Sequence, residues 1–238
     1  MKLLLVSNSG RPFLQHCSST VLDFLGSIKT VGYLTAARLD DADHRFNIAR
    51  ESLATLGLEA LHFKLDELLE SKLMRAQAVF VSGGNTYALL KRLRDAGILP
   101  VLTRLVREGL PYIGTSAGTN LTGRNILATN DWNVVGCSQF DAMHLVPWTI
   151  NPHYLESDPA MASGSETRDQ RIAEYLSVNP NPVLAIEEST SVWVEKGVAR
   201  VFGSGRARLF RRGSNPVWFA AGQAIPADAG DVDAGASV

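Results

Sequence analysis

One segment of the chain has the residue order of a nucleophile elbow: Leu110-Pro111-Tyr112-Ile113-Gly114-Thr115-Ser116-Ala117-Gly118-Thr119-Asn120. A short apolar run leads straight into Gly-X-Ser-X-Gly, and a small-residue helix start follows. In a strand–turn–helix elbow the serine occupies a strained turn, and a Cβ on either flank would strike the neighbouring strand or helix. The hydroxyl is then presented at the carboxyl end of a strand, where open α/β sheets build their sites. It also lies at a helix N-terminus, whose free N–H groups can stabilise an oxyanion. The same pattern fits an N-capping serine with two packing glycines, so catalysis requires a partner for Ser116.

That partner would be a histidine, and there are five: His16, His44, His62, His144 and His153. His62 falls in an apolar strand pattern, His16 on an early helix and His44 in a charged, solvated stretch. His153 follows Thr149-Ile150-Asn151-Pro152, an apolar strand ending on a rigid proline turn. That position suits a general base; His144, on the preceding strand, is its rival. In an ordinary α/β-hydrolase the histidine lies near the C-terminus, whereas none follows His153 here. The elbow therefore belongs to another arrangement.

Other chemistries find less support. There is no His-Glu-X-X-His, no Cys-X-X-Cys and no acidic calcium loop, so neither a metal nor a cofactor is expected. Gly83-Gly84-Asn85 follows an apolar run as a phosphate loop would, but no Gly-Lys-Ser/Thr completes it. Asp40-Asp41-Ala42-Asp43 reads as a solvated helix start.

These residues need a scaffold to bring them together. Short apolar runs at 3–6, 31–34, 60–63, 78–81 and 110–113 read as strands buried on both faces. Helical patterns alternate with them, as at 85–96, ended by Gly97, and at 101–108, ended by Gly109. The alternation predicts a mostly parallel, doubly wound α/β sheet with helices on both faces. Beyond about residue 125, runs at 183–186, 191–195, 198–202 and 215–220 read as hairpin strands, with Lys196-Gly197 as one turn. They predict an antiparallel C-terminal extension. No linker or repeat divides the chain, so residues 1–226 read as one domain and 227–238 as a flexible tail.

Composition agrees with a soluble globular protein. Of 238 residues, 45% are hydrophobic, and 23 Lys+Arg against 24 Asp+Glu leave a formal charge of −1. A chain that neutralises many phosphates would be basic, so no nucleic-acid partner is expected. The opening apolar run is too short for a signal peptide and no stretch is long enough to span a membrane, so a cytoplasmic protein is expected. The two cysteines, Cys17 and Cys137, read as buried thiols in a reducing compartment.

Five segments occur in a fixed order: Ser82-Gly83-Gly84-Asn85-Thr86, Gly114 to Asn120, Thr129-Asn130-Asp131, Ile150-Asn151-Pro152-His153 and Glu166-Thr167-Arg168-Asp169-Gln170-Arg171. Together with the opening Leu3-Leu4-Leu5-Val6-Ser7-Asn8-Ser9, they resemble the peptidase E (α-aspartyl dipeptidase) family, related to cyanophycinase. The resemblance covers about residues 1–220. It implies a serine exopeptidase on a flavodoxin-like, or class I glutamine amidotransferase-like, scaffold. The substrate it implies is a small peptide with N-terminal aspartate.

In that family Ser116 would be the nucleophile and His153 the base. Asp131, in the Thr-Asn-Asp motif, or Glu188, with Glu187 beside it, would be the third member. The turn at Gly83-Gly84 would face the nucleophile, so Gly84 and Ala117 N–H groups would form the oxyanion hole. Arg168 in the intact Glu-Thr-Arg motif would hold the aspartate side chain, because a planar guanidinium binds a carboxylate bidentately. Arg171 is the runner-up, Glu166 a candidate for the substrate ammonium, and Asn85 a further substrate-binding residue. The chain departs from the family where Thr115 replaces an aromatic, Ser82 replaces the first glycine of its turn, and Glu187-Glu188-Ser189-Thr190 replaces Pro-Glu-Gly-Asn. These departures keep open a broader, β-aspartyl or cyanophycin-type amide hydrolase, and a non-catalytic amino-acid-binding relative. A homodimer is compatible with the resemblance, though no segment marks an interface.

Overall fold

The computed structural model describes residues 1–156 and 166–226; the tail expected at 227–238 lies outside the described residues. Five parallel strands form most of an eight-stranded sheet: β1 (Lys2–Val6), β2 (Thr30–Leu34), β3 (Glu59–Phe63), β4 (Val79–Val81) and β5 (Tyr112–Thr115). Their spatial order is β1-β5-β4-β2-β3. β1 shows why its sequence is apolar throughout: Leu3 and Leu5 enter one core, Leu4 and Val6 the other, and all four are fully buried. Helices α1 (Ser18–Leu25) and α2 (Ala42–Thr55) cover one face through Val21, Phe24, Phe46 and Leu53. Helices α3 (Leu69–Arg75), α4 (Thr86–Asp95) and α5 (Ile98–Glu108) cover the other through Leu73, Leu89, Leu93 and Leu102. This is the doubly wound α/β arrangement expected from the alternation of elements.

Among the boundaries that differ from the sequence reading, two have a structural consequence. β5 runs to Thr115 rather than ending at Ile113, so Gly114 lies inside the strand. α5 starts at Ile98 rather than residue 101. Pro100 sits in its first turn, where a missing N–H breaks no intrahelical bond.

After the short α6 (Ala117–Asn120) the chain builds a second sheet. It comprises β6 (Thr149–Tyr154), β7 (Val183–Glu187), β10 (Ala207–Phe210) and β11 (Val217–Phe219), in the order β11-β10-β7-β6. β6 and β7 are parallel, and α7 (Arg168–Val178) covers one face with Ile172, Tyr175 and Leu176. The opposite face, with Leu184, Ile186 and Leu209, merges into the core of the main sheet. β8 (Thr190–Glu195), β9 (Val198–Gly203) and β12 (Ala224–Ile225) instead extend the main sheet antiparallel from β1. The expected extension is thus divided between two sheets. β7 and β8 part company because Glu188-Ser189 carries the chain from one sheet to the other. Among the described residues no helix is long and apolar enough to cross a membrane.

Candidate active site

Ser116 closes β5 and leads into α6 with φ 51° and ψ −107°. A non-glycine residue held there stores about 1–3 kcal/mol of strain. The flanking glycines are required by contact rather than by turn conformation. A Cβ on Gly114 would lie 2.6 Å from the Gly118 backbone, and one on Gly118 only 2.2 Å from the Val81 carbonyl oxygen. Thr119 locks the elbow by donating its buried hydroxyl toward Val6 O (2.7 Å) and Gly114 O (2.8 Å).

His153 is held by an equally specific device. β6 continues through His153, where the ladder to β7 becomes irregular and φ is 56°. The strand does not stop at Pro152; it bulges there, as a residue without an N–H requires. The His153 N–H donates to Ser7 Oγ (2.8 Å), and the Ser7 hydroxyl donates to Ile186 O (3.0 Å). Asn130 donates its amide to Pro152 O (2.8 Å). One fully buried hydroxyl at the end of β1 thereby ties β6 to β7.

The imidazole bridges two groups. Its Nε2 is 2.8 Å from Ser116 Oγ and its Nδ1 is 2.6 Å from Glu188 Oε1. Glu188 follows β7, and the next residue, Ser189 (φ 57°), donates its N–H to Asn8 Oδ1 (3.2 Å). With Nδ1–H directed to the carboxylate, the Nε2 lone pair faces the serine hydroxyl.

The other candidate acids and bases are engaged elsewhere. Asp131 sits at the N-terminus of α4, where its Oδ2 accepts from Thr86 N (2.7 Å) and Thr129 Oγ1 (3.1 Å). Glu187 accepts from Arg206 N (2.7 Å) and forms an ion pair with its guanidinium. His144 lies in a loop, not on a strand, with its Nε2 3.9 Å from Asp141. His62 stacks on Phe46, and His44 sits in the first turn of α2. Asn85, the further substrate-binding candidate, starts α4. Its Oδ1 caps α4 through Ala88 N (2.9 Å), and its Nδ2 holds Trp132 O (2.8 Å).

Two cavities meet at His153. One of about 440 Å³ is lined by Glu166, Arg168, Arg171 and Glu188. Arg168 is the first residue of α7, whose start is fixed by a reciprocal capping box between Thr167 and Gln170. Its guanidinium donates to Asn130 Oδ1. Burial, then the like charge of Arg171, hold its pKa below the usual arginine value; the opposite charge of a bound carboxylate would act against that shift. Arg171 is 3.5 Å from Glu166. The second cavity, about 540 Å³, contains Gly84 and both Ser116 and His153. Gly84 (φ 150°) must be glycine, since a Cβ would lie 2.4 Å from Ala37 O.

Sequence reasoning missed Ser7, Asn8 and Asn130 as the residues that hold the site. The signal for Ser7 and Asn8 was a polar Ser-Asn-Ser directly after a buried strand, at the end of the sheet where sites form, and that for Asn130 was its place in Thr129-Asn130-Asp131.

A serine on a strained strand-to-helix turn, an imidazole on its hydroxyl and a carboxylate on the far ring nitrogen form the geometry of a serine hydrolase. The family model described as "Peptidase family S51" matches residues 3–202, and the chain belongs to that family of serine peptidases. It is 40% identical over 227 residues to "Peptidase E" of Streptomyces coelicolor, covering 93% of this chain and 92% of that protein. It is also 40% identical over 217 residues to a Drosophila melanogaster protein named "Probable alpha-aspartyl dipeptidase", covering 88% and 89%. The crystal structure of a peptidase from an acI-B1 Actinobacterium shares the fold, with a TM-score of 0.71 at 16% identity over 94% of this chain and 96% of that one.

Proposed function

We propose that this chain is a cytoplasmic dipeptidase that hydrolyses Asp-X, working as one unit over residues 1–226. The observation that carries the reading is the hydrogen-bonded row Ser116–His153–Glu188 beside a cavity containing a half-buried Arg168. Relatives named as peptidase E and an α-aspartyl dipeptidase support the same substrate class.

His153 Nε2 takes the Ser116 proton as Oγ attacks the aspartyl carbonyl carbon. The oxyanion is received by the N–H groups of Gly84 and Ala117, the latter at the start of α6, ahead of that helix's own hydrogen-bond ladder. Each such donor lowers the barrier by about 3 kcal/mol. The imidazolium, stabilised by Glu188, then protonates the leaving nitrogen, and residue X departs as a free amine. Water, deprotonated by His153, attacks the aspartyl ester and releases aspartate and Ser116. Arg168, oriented by Asn130, holds the substrate's side-chain carboxylate, while Glu166 receives its α-ammonium. Arg171 holds Glu166.

The test is hydrolysis of Asp-Leu beside Asn-Leu, Glu-Leu and a β-aspartyl dipeptide, with Ser116→Ala as control. Turnover of Asp-Leu that disappears in the variant, with Asn-Leu at least about a hundredfold poorer, is the expected result. Folded protein that turns over none of the four, or that does not discriminate Asp from Asn, would overturn the reading.

A further inference from the structure

We propose that the larger cavity at Ser116–His153 is a leaving-group subsite that binds the free α-carboxylate of residue X. The proposal rests on the Asp-X reading and extends it from the acyl half of the substrate to the other half.

The cavity stands where a doubly wound sheet places ligands. β2 and β4 are neighbours, yet β2 leads to α2 on one face and β4 to α4 on the other. Such a divergence opens a crevice at the strands' carboxyl ends. Residues from the loops after β1, β2, β4 and β5 all line it. It shares only His153 with the cavity that contains Arg168. If the aspartyl group occupies the Arg168 side, the residue beyond the scissile bond lies across His153, the group that protonates its nitrogen.

The lining is suited to an anion. Arg11, Arg38 and Arg45 contribute to it and, among the described residues, no carboxylate does. Asp40 is bound by the Arg38 guanidinium and lies 3.7 Å from Arg45. One acid thus answers two arginines, and Arg11 forms no ion pair among the described residues. Their field reaches the inner wall. Burial raises the pKa of the Tyr33 hydroxyl, while Arg38 and Arg45 act to lower it.

A second observation is independent of charge. Ser82 lines the cavity at only 4% exposure, and its hydroxyl has no hydrogen-bond partner among the described residues. Thr115 Oγ1, fully buried beside Gly83, is orphaned as well. Buried hydroxyls are seldom left unpaired, and such orphans cluster where a site asks for a partner.

In a dipeptide the carboxylate carbon of X is two bonds from the scissile nitrogen, so a subsite touching His153 is within reach of it. Phe13 and Ile48 provide an apolar wall for the side chain of X. In a longer peptide or an amide that carboxylate becomes an uncharged carbonyl, and its bonds to arginine weaken. Recognition at both ends would make the enzyme select dipeptides over longer Asp-initiated peptides.

The experiment compares Asp-Leu, Asp-Leu-amide and Asp-p-nitroanilide as substrates of the wild type, Arg45→Gln and the double variant Arg11→Gln/Arg45→Gln. Both arginines are largely exposed, so the variants should fold. The wild type should show a KM for Asp-Leu about tenfold below that for its amide, from one charge-assisted pair. The double variant should raise KM for Asp-Leu about tenfold more than for Asp-p-nitroanilide. Equal KM values for Asp-Leu and its amide, or equal effects of the variants on all three substrates, would overturn the subsite while leaving Asp-X hydrolysis standing. A wild type that cleaves none of the three would overturn the Asp-X reading and the subsite with it.

Discussion

At the scale of single residues, two acids offered by the sequence for one task are separated by their hydrogen bonds. Glu188 touches the imidazole, whereas Asp131 caps the start of α4. Glu188→Gln would retain shape but no longer stabilise the imidazolium, and kcat should fall about a hundredfold or more. The loss should stay below the ~10⁴ known for a buried aspartate in this role, because half of the Glu188 side chain is exposed. Asp131→Ala should instead cost about 1 kcal/mol of stability with far less effect on kcat. Steady-state kinetics and thermal denaturation on both variants check this; a larger kcat loss in the Asp131 variant would reverse the assignment. Ser116 and His153 stood out in the sequence because a glycine-flanked serine and a Pro-His at a strand end are local patterns. The choice between Glu188 and Asp131 was illegible, since it depends on where β7 crosses to β8 and on a cap contributed 45 residues away in sequence.

At the scale of elements, the parallel strands were legible because burial on both faces leaves a four- or five-residue apolar run. The second sheet was not. β6 and β7 have the same apolar pattern as the hairpin strands, and nothing local records that they pair in parallel on top of the main core. What fastens the two sheets together at the site is Ser7, which accepts from His153 N–H and donates to Ile186 O. Ser7→Ala would leave a buried N–H without its acceptor and a carbonyl without its donor. We expect a loss of about 1–3 kcal/mol in stability. Because a strained φ at His153 needs that support, kcat should also drop about tenfold or more, with KM nearly unchanged. Chemical denaturation and kinetics of the variant test both halves. A variant as active as wild type would show that the β6 bulge holds the imidazole without the hydroxyl.

At the scale of the whole molecule, the near balance of charge determines how the fold responds to acid. A formal net charge of −1 leaves little global repulsion near neutrality, so individual histidines dominate the response between pH 7 and 5. His62 packs flat on Phe46 with ring centroids 4.2 Å apart, and its Nε2 is 2.8 Å from Thr35 Oγ1. Burial, helped by the charges of Lys64 and Lys72 and opposed by Asp43, holds its pKa below the ordinary 6.5. His16, behind the loop after β1, is also lowered by burial, against an opposing pull from Glu188. The native state therefore binds fewer protons than the unfolded chain once the pH drops below about 6.5. The stability linked to these neutral imidazoles is fully present above that value and is lost as the pH falls through their depressed native pKa values. Melting temperature should decline from pH 7 to pH 5, and His62→Gln should make the decline shallower even if it lowers the melting temperature at pH 7. Thermal denaturation of both proteins across this range is the check. Parallel curves would place the acid sensitivity in other groups and show that His62 titrates alike in the folded and unfolded chains.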